Sequence, residues 1–145
     1  MTESSSFEEP EFLNIDLHVR SRRSLAPLVA AWPSSYQPLI AEGRPDPRWL
    51  ILYPPGIVKS AESAARQLLR RIRSLKGAPL LCWKQAHRRV FDIGIQAGGP
   101  GLPFEDVRLT PETLRQIASL DAHIQVTIYP ARPQAGSVRP DSPER

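Results

Sequence analysis

Apolar and polar positions alternate in some stretches of this chain and recur at three- and four-residue spacing in others. From Phe12 to Arg20, Leu13, Ile15, Leu17 and Val19 fall on one side and Asn14, Asp16, His18 and Arg20 on the other. That is the period of a half-buried strand. Val90-Phe91-Asp92-Ile93-Gly94-Ile95-Gln96 and Ile124-Gln125-Val126-Thr127-Ile128-Tyr129 alternate in the same way. Trp49-Leu50-Ile51-Leu52-Tyr53 is continuously apolar and suits a central strand covered on both faces, while Tyr36 to Ala41 is a further strand candidate.

Helical spacing fills the gaps. Leu25, Leu28, Val29 and Trp32 predict a short helix from Ser24 that stops before Pro33. The longest helix is expected from a Ser60 cap to about Lys76, closed by Gly77, with Ala61, Ala64, Ala65, Leu68, Leu69, Ile72 and Leu75 as its buried stripe. Leu80-Leu81-Cys82-Trp83 reads as a helical turn or a packed loop. The last helix starts at Leu109-Thr110-Pro111-Glu112-Thr113-Leu114, where Thr110 can accept from a free backbone N–H and Pro111 needs no donor. Leu109 and Leu114 could close a staple over that start.

The order β-α-β-β-α-β-α-β predicts one α+β domain, a mainly antiparallel sheet with about three helices. The similar outline of its opening and closing units suggests a ferredoxin-like or duplicated split β-α-β arrangement. Its limits are expected at residues 11 to 131. Residues 1–10 and the Pro-rich 132–145 offer little to bury and read as disordered tails. Ile15, Leu17, Leu68, Leu69, Ile72, Phe91, Ile93, Ile117, Val126 and Ile128 are the expected inward residues.

Composition narrows the class. At 145 residues the chain can bury a core unaided. Cys82 is the single cysteine, so no internal disulfide frames it. No apolar run approaches a membrane span, and the acidic start lacks a signal-peptide layout, so a cytoplasmic location is expected. The net charge of +4 hides an asymmetry. Residues 44–89 hold eleven Lys or Arg against Asp46 and Glu62, whereas both flanks are net acidic. Such a centre favours an anionic partner, unless it is only the solvated face of an arginine-rich helix.

Candidate chemistry is sparse. Asp16 and His18 share one strand face, and Asp92 could join them from a neighbouring strand, the minimum for proton transfer. Alternating polar residues are equally what a solvated sheet face looks like, and no adjacent Ser, Cys or second His completes a nucleophilic set. His18, His87, His123 and Cys82 lack the spacing of metal ligands, so no metal or cofactor is expected. The glycines from Gly94 to Gly101 are interrupted by Pro100 and do not open into a helix, which disqualifies a phosphate loop.

The segment from Val90 through Leu109-Thr110-Pro111-Glu112 and Leu120-Asp121-Ala122 to Tyr129 resembles the C-terminal half of an uncharacterised bacterial family. Its members end in a strand, a "leu-ser/thr-pro-glu" helix start, a "leu-gly-ala"-like turn and a strand finishing in Tyr. Asp121 stands where that pattern usually has glycine. The family is similar to small immunity proteins encoded beside polymorphic toxins. The resemblance implies a non-enzymatic module that neutralises a cognate bacterial toxin. An acidic protein partner would then meet Arg66, Arg70 and Arg73, with Arg48 and Lys59 near. The alternative is a nucleic-acid-binding module using the same basic helix.

Overall fold

The computed structural model describes residues 7–33, 39–40, 46–56, 58–103 and 106–133. Five strands and four helices follow in the order β1 (Glu11–Arg20), α1 (Ala26–Ala31), β2 (Leu39–Ile40), β3 (Trp49–Leu52), α2 (Ala61–Arg73), α3 (Gly77–Gln85), β4 (Arg88–Gln96), α4 (Pro111–Ser119) and β5 (His123–Tyr129). Only Leu39–Ile40 of the predicted Tyr36–Ala41 strand lies within the described residues. The outer parts of both predicted tails, 1–6 and 134–145, lie outside them. Residues nearer the domain meet: Phe7 bridges Pro133, and Glu8 N donates to Arg132 O at 3.0 Å.

The strands form one sheet in the order β2-β3-β1-β4-β5. All its pairs are antiparallel except β4–β5, which is parallel. An α+β domain with a mixed, mostly antiparallel sheet is therefore present, with four helices rather than about three. The fourth is α3, which the short apolar run at Leu80–Trp83 underdetermined.

The opening unit is a split β-α-β: β1 and β2, joined by α1, run parallel with β3 antiparallel between them. The outline is not duplicated. The closing unit is an unsplit crossover, because β4 and β5 are immediate neighbours in parallel. Antiparallel neighbours need only a turn between them, whereas this last parallel pair requires the α4 crossover.

The main core lies on one face of the sheet, while Ile51 and Val90, register partners of His18, are buried on the other. Ile15, Leu17 and Val19 of β1, Leu50 and Leu52 of β3, and Phe91 and Ile93 of β4 pack under Leu68, Leu69 and Ile72 of α2, all 5% exposed or less. Ser60 caps α2 by accepting from Ser63 N at 3.2 Å, and Thr110 caps α4 the same way through Thr113 N. Expected alternation fails at one place in β1. A register shift between Phe12 and Asn14 turns Leu13 outward, and Phe12 packs against the core in its stead. An extra residue in one strand reverses the facing of everything beyond it.

The expected inward placement of Val126 and Ile128 is also corrected. They are 53% and 67% exposed, and Ile124 is 41% exposed. Their register partners Phe91, Ile93 and Ile95 belong to the core side, so the three do point towards the helical layer. No helix among the described residues covers them there, because α4 packs chiefly against α2 rather than over β5.

Candidate functional site

Glu62 sets the position of α4. Its carboxylate accepts from Thr110 N and Thr110 Oγ1, both at 3.0 Å, and from Thr113 Oγ1 at 2.6 Å. These bonds, the Thr113 hydroxyl first, hold the Glu62 carboxyl below its ordinary range. The first turn of α4 is thus clamped to the first turn of α2, and α4 stays off the outer strand.

The predicted basic row does lie on the outward side of α2. Arg66, Arg70 and Arg73 are exposed, while Ala61, Ala64, Ala65, Leu68, Leu69 and Ile72 fill the inner side. Arg66 is engaged with Glu62, Nε to Oε1 at 3.2 Å. Arg70 joins Gln67, Arg71 and Ser74 around a shallow recess of ≈ 310 Å³. In that recess the Nε of Arg71 and the Oε1 of Gln67 are buried without hydrogen-bond partners. Arg71 reaches inward to donate to Ala31 O.

Arg48 and Lys59 do not extend this row together. Arg48 precedes β3, with its side chain 3.4 Å from Asp46. Lys59 lies beyond the other end of β3, in a cleft of ≈ 590 Å³ shared with Glu9, Glu11, Glu62, Asp106 and Arg108. Of the eleven cations counted in residues 44–89, Arg89 is structural. It is 6% exposed, and its guanidinium donates to Trp83 O at 3.0 and 2.8 Å and to Lys84 O at 2.9 Å. It therefore caps the C-terminus of α3, with its charge 5.4 Å from the Trp83 ring.

The open face of the sheet gathers what the sequence only suggested. Asp16 and Asp92 are register partners on the two central strands. Asp92 accepts from Thr127 Oγ1 at 2.8 Å and from Gln125 Nε2 at 3.2 Å, both on β5. Asp16 has no such support, and its Oδ1 is buried and unpartnered. Burial first, and then the charge of Asp92, push the Asp16 carboxyl up to about 6. His18 Nε2 stands 3.6 Å from Asp92. Burial nevertheless lowers the imidazole below its ordinary value, with Arg20 and Arg88 adding to the effect, so near neutral pH this contact is not an ion pair.

Arg20 and Arg88, also register partners, make one end of this face basic. Beside Arg88 a cleft of ≈ 480 Å³ is lined by His87, Val90, His123, Ile124 and Gln125. Chemically the face can hold and share a proton. Among the described residues no group of three His, Cys, Asp or Glu side chains is placed to hold a metal ion, and no helix is long and apolar enough to cross a membrane. Cys82 is buried, which pushes its thiol up and away from nucleophilic use.

Sequence reasoning missed Glu62, which looks like an ordinary acid in the first turn of a helix, and Arg89, which looks like one more surface cation. It also missed the uncovered β5, because period-two alternation says which residues share a face but not whether a helix lies over it.

Compared with protein-family models, curated proteins and solved structures, the chain matches none. What the geometry defines is an α+β domain with helices on one sheet face, a polar opposite face, a basic helix exterior and an apolar outer strand.

Proposed function

We propose that this chain is a non-enzymatic protein-binding module of the bacterial cytoplasm, an immunity protein that neutralises a cognate toxin by meeting an acidic surface on it. The observation that carries this reading is the outward placement of Arg66, Arg70 and Arg73 on a helix whose inner side is fully used for packing. The charge on that row is available for long-range attraction without cost to the core. Arg70 and Arg73, which carry no intramolecular ion pair among the described residues, are its centre. Arg48 and Lys59 flank it from separate ends of β3 and matter less.

The test is protection. If the neighbouring gene encodes a toxin domain, a sensitive host expressing it should be rescued by the parent chain and poorly by the Arg70→Glu, Arg73→Glu variant, whose folding a circular dichroism melt checks. Charge reversal should act mainly on the association rate. Full protection by that variant would overturn the assignment of the row. If the chain instead binds oligonucleotides, with log affinity falling linearly with log salt, the nucleic-acid reading of the same helix prevails.

A further inference from the structure

Among the described residues the outer edge of β5 has none of the devices by which proteins protect an open sheet edge. Such edges are blunted by shortness, by Lys or Pro within the strand, by bulges or by a covering helix. At the far side of the sheet the described part of β2 is Leu39–Ile40. β5 runs seven residues, roughly 23 Å at strand rise. It pairs in unbroken register with β4 and contains no Lys, Arg, Asp, Glu or Pro. Ile124, Val126 and Ile128 stand exposed in a row along it.

We propose that β5 is the seam of a two-fold dimer, in which the β5 strands of two copies of this chain pair antiparallel about Val126. The strand is self-complementary in that arrangement. Val126 faces its own copy, and Ile124 faces Ile128 on the core side. On the open side Gln125 faces Thr127, and His123 faces Tyr129. Apolar therefore meets apolar and polar meets polar in every row, with no like charges opposed.

The charges just outside the strand agree. Asp121 precedes β5 with its carboxylate fully exposed, 3.7 Å from Arg89 of its own chain, and Arg132 follows the strand, also exposed. The same two-fold carries Asp121 of one copy to the Ala131–Arg132 step of the other, acid beside base. A second copy thus satisfies the edge backbone, the apolar row and the flanking charges together.

The mass in solution decides. Sedimentation equilibrium of the full chain over about 10–500 μM, the range in which a small interface associates, should show the mass rising from 16.2 kDa towards twice that value. Val126→Lys places two cations face to face on the axis and should hold the mass at 16.2 kDa throughout. Circular dichroism melts would check that this variant is folded, and Ile128→Lys gives an independent second disruption. Val126→Cys should form a disulfide-linked dimer under mild oxidation while the parent, with only the buried Cys82, does not. A parent that stays at 16.2 kDa, or a dimer that survives both lysine variants, would overturn the proposal.

Discussion

Replacing Glu62 should loosen the whole α4 crossover, at a cost well above that of an ordinary surface acid. The carboxylate receives three donors from the start of α4. Hydrogen bonds to a charged group contribute about 1.5–3 kcal/mol each when water cannot replace them. Thr110 is exposed, so water can serve its N–H and hydroxyl once the acid is gone. Thr113 is 1% exposed, so its hydroxyl loses its acceptor outright. The ion pair with the exposed Arg66 adds only about 0.3–0.5 kcal/mol. Glu62→Ala is therefore expected to destabilise by about 2–3 kcal/mol, a fall in melting temperature of roughly 4–12 °C for a chain of this size. Glu62→Gln, which keeps the length but loses the charge and one acceptor, should lie between. Urea titrations at fixed protein concentration measure this, and a cycle with Thr113→Val should show a coupling of about 1 kcal/mol or more. The pH dependence gives a second check. A carboxyl held below its ordinary 4.5 stabilises the fold above that value and stops doing so as pH falls through its folded value. The gap between parent and Glu62→Gln should thus be full at pH 7 and close in acid. A loss for Glu62→Ala below about 0.5 kcal/mol, the size of a neutral surface change, would refute the clamp.

Asp16 should behave in the opposite sense. Its folded carboxyl sits at about 6, above the ordinary 3.8, so its stabilising contribution is present below 3.8 and is lost as pH rises through 6. Asp16→Asn should remove that decline, and carbon-13 NMR titration of the side chain reads the value directly. Arg89→Met should cost about 3 kcal/mol by stranding the carbonyls that end α3, and Arg89→Lys should not restore it, because an ammonium lacks the planar fork that serves Trp83 O and Lys84 O together. Leu69→Ala, at a position 1% exposed, should cost about 2–5 kcal/mol in a denaturant titration.

What could be read from the chain and what could not divide along a physical line. The strands at β4 and β5, the Ser60 and Thr110 caps and the inner stripe of α2 follow from local patterns, and each recurs in the structure, although neither strand alternates in burial. Strand order is not local. The opening and closing units look alike in sequence, yet β2 pairs with β3 while β5 returns beside β4, a choice made by packing. The same limit hid the site. Asp16 and Asp92 are far apart in the chain, and their opposition depends on a register that no single strand contains. Leu13 and Val126 were misread for two different reasons. A bulge reversed the first, and the second points to the core side of the sheet beyond the reach of its helices. Asp121, where the resembled pattern carries glycine, takes φ 53, the left-handed conformation that ends α4. Asp is among the few side chains that tolerate it.

The two proposed surfaces have a joint geometric consequence. When two strands pair antiparallel within one sheet, the two-fold axis is perpendicular to the sheet, so both copies keep their helices on the same side. A β5-paired dimer therefore presents two Arg66–Arg70–Arg73 rows in one direction and two Asp16–Asp92 faces in the other. Two linked basic rows bind a crowded acidic surface with avidity, and bivalent attachment commonly gains 10²–10⁴-fold without any new contact. On a densely coated poly-glutamate surface at low salt, the parent should dissociate far more slowly than Val126→Lys. On a sparse coating, where only one row can engage, the two should converge. The variant carries an added positive charge, which by itself would slow its release, so a slower parent can only reflect the second row. Equal dissociation rates on the dense surface would refute the joint geometry, even if each surface were real on its own.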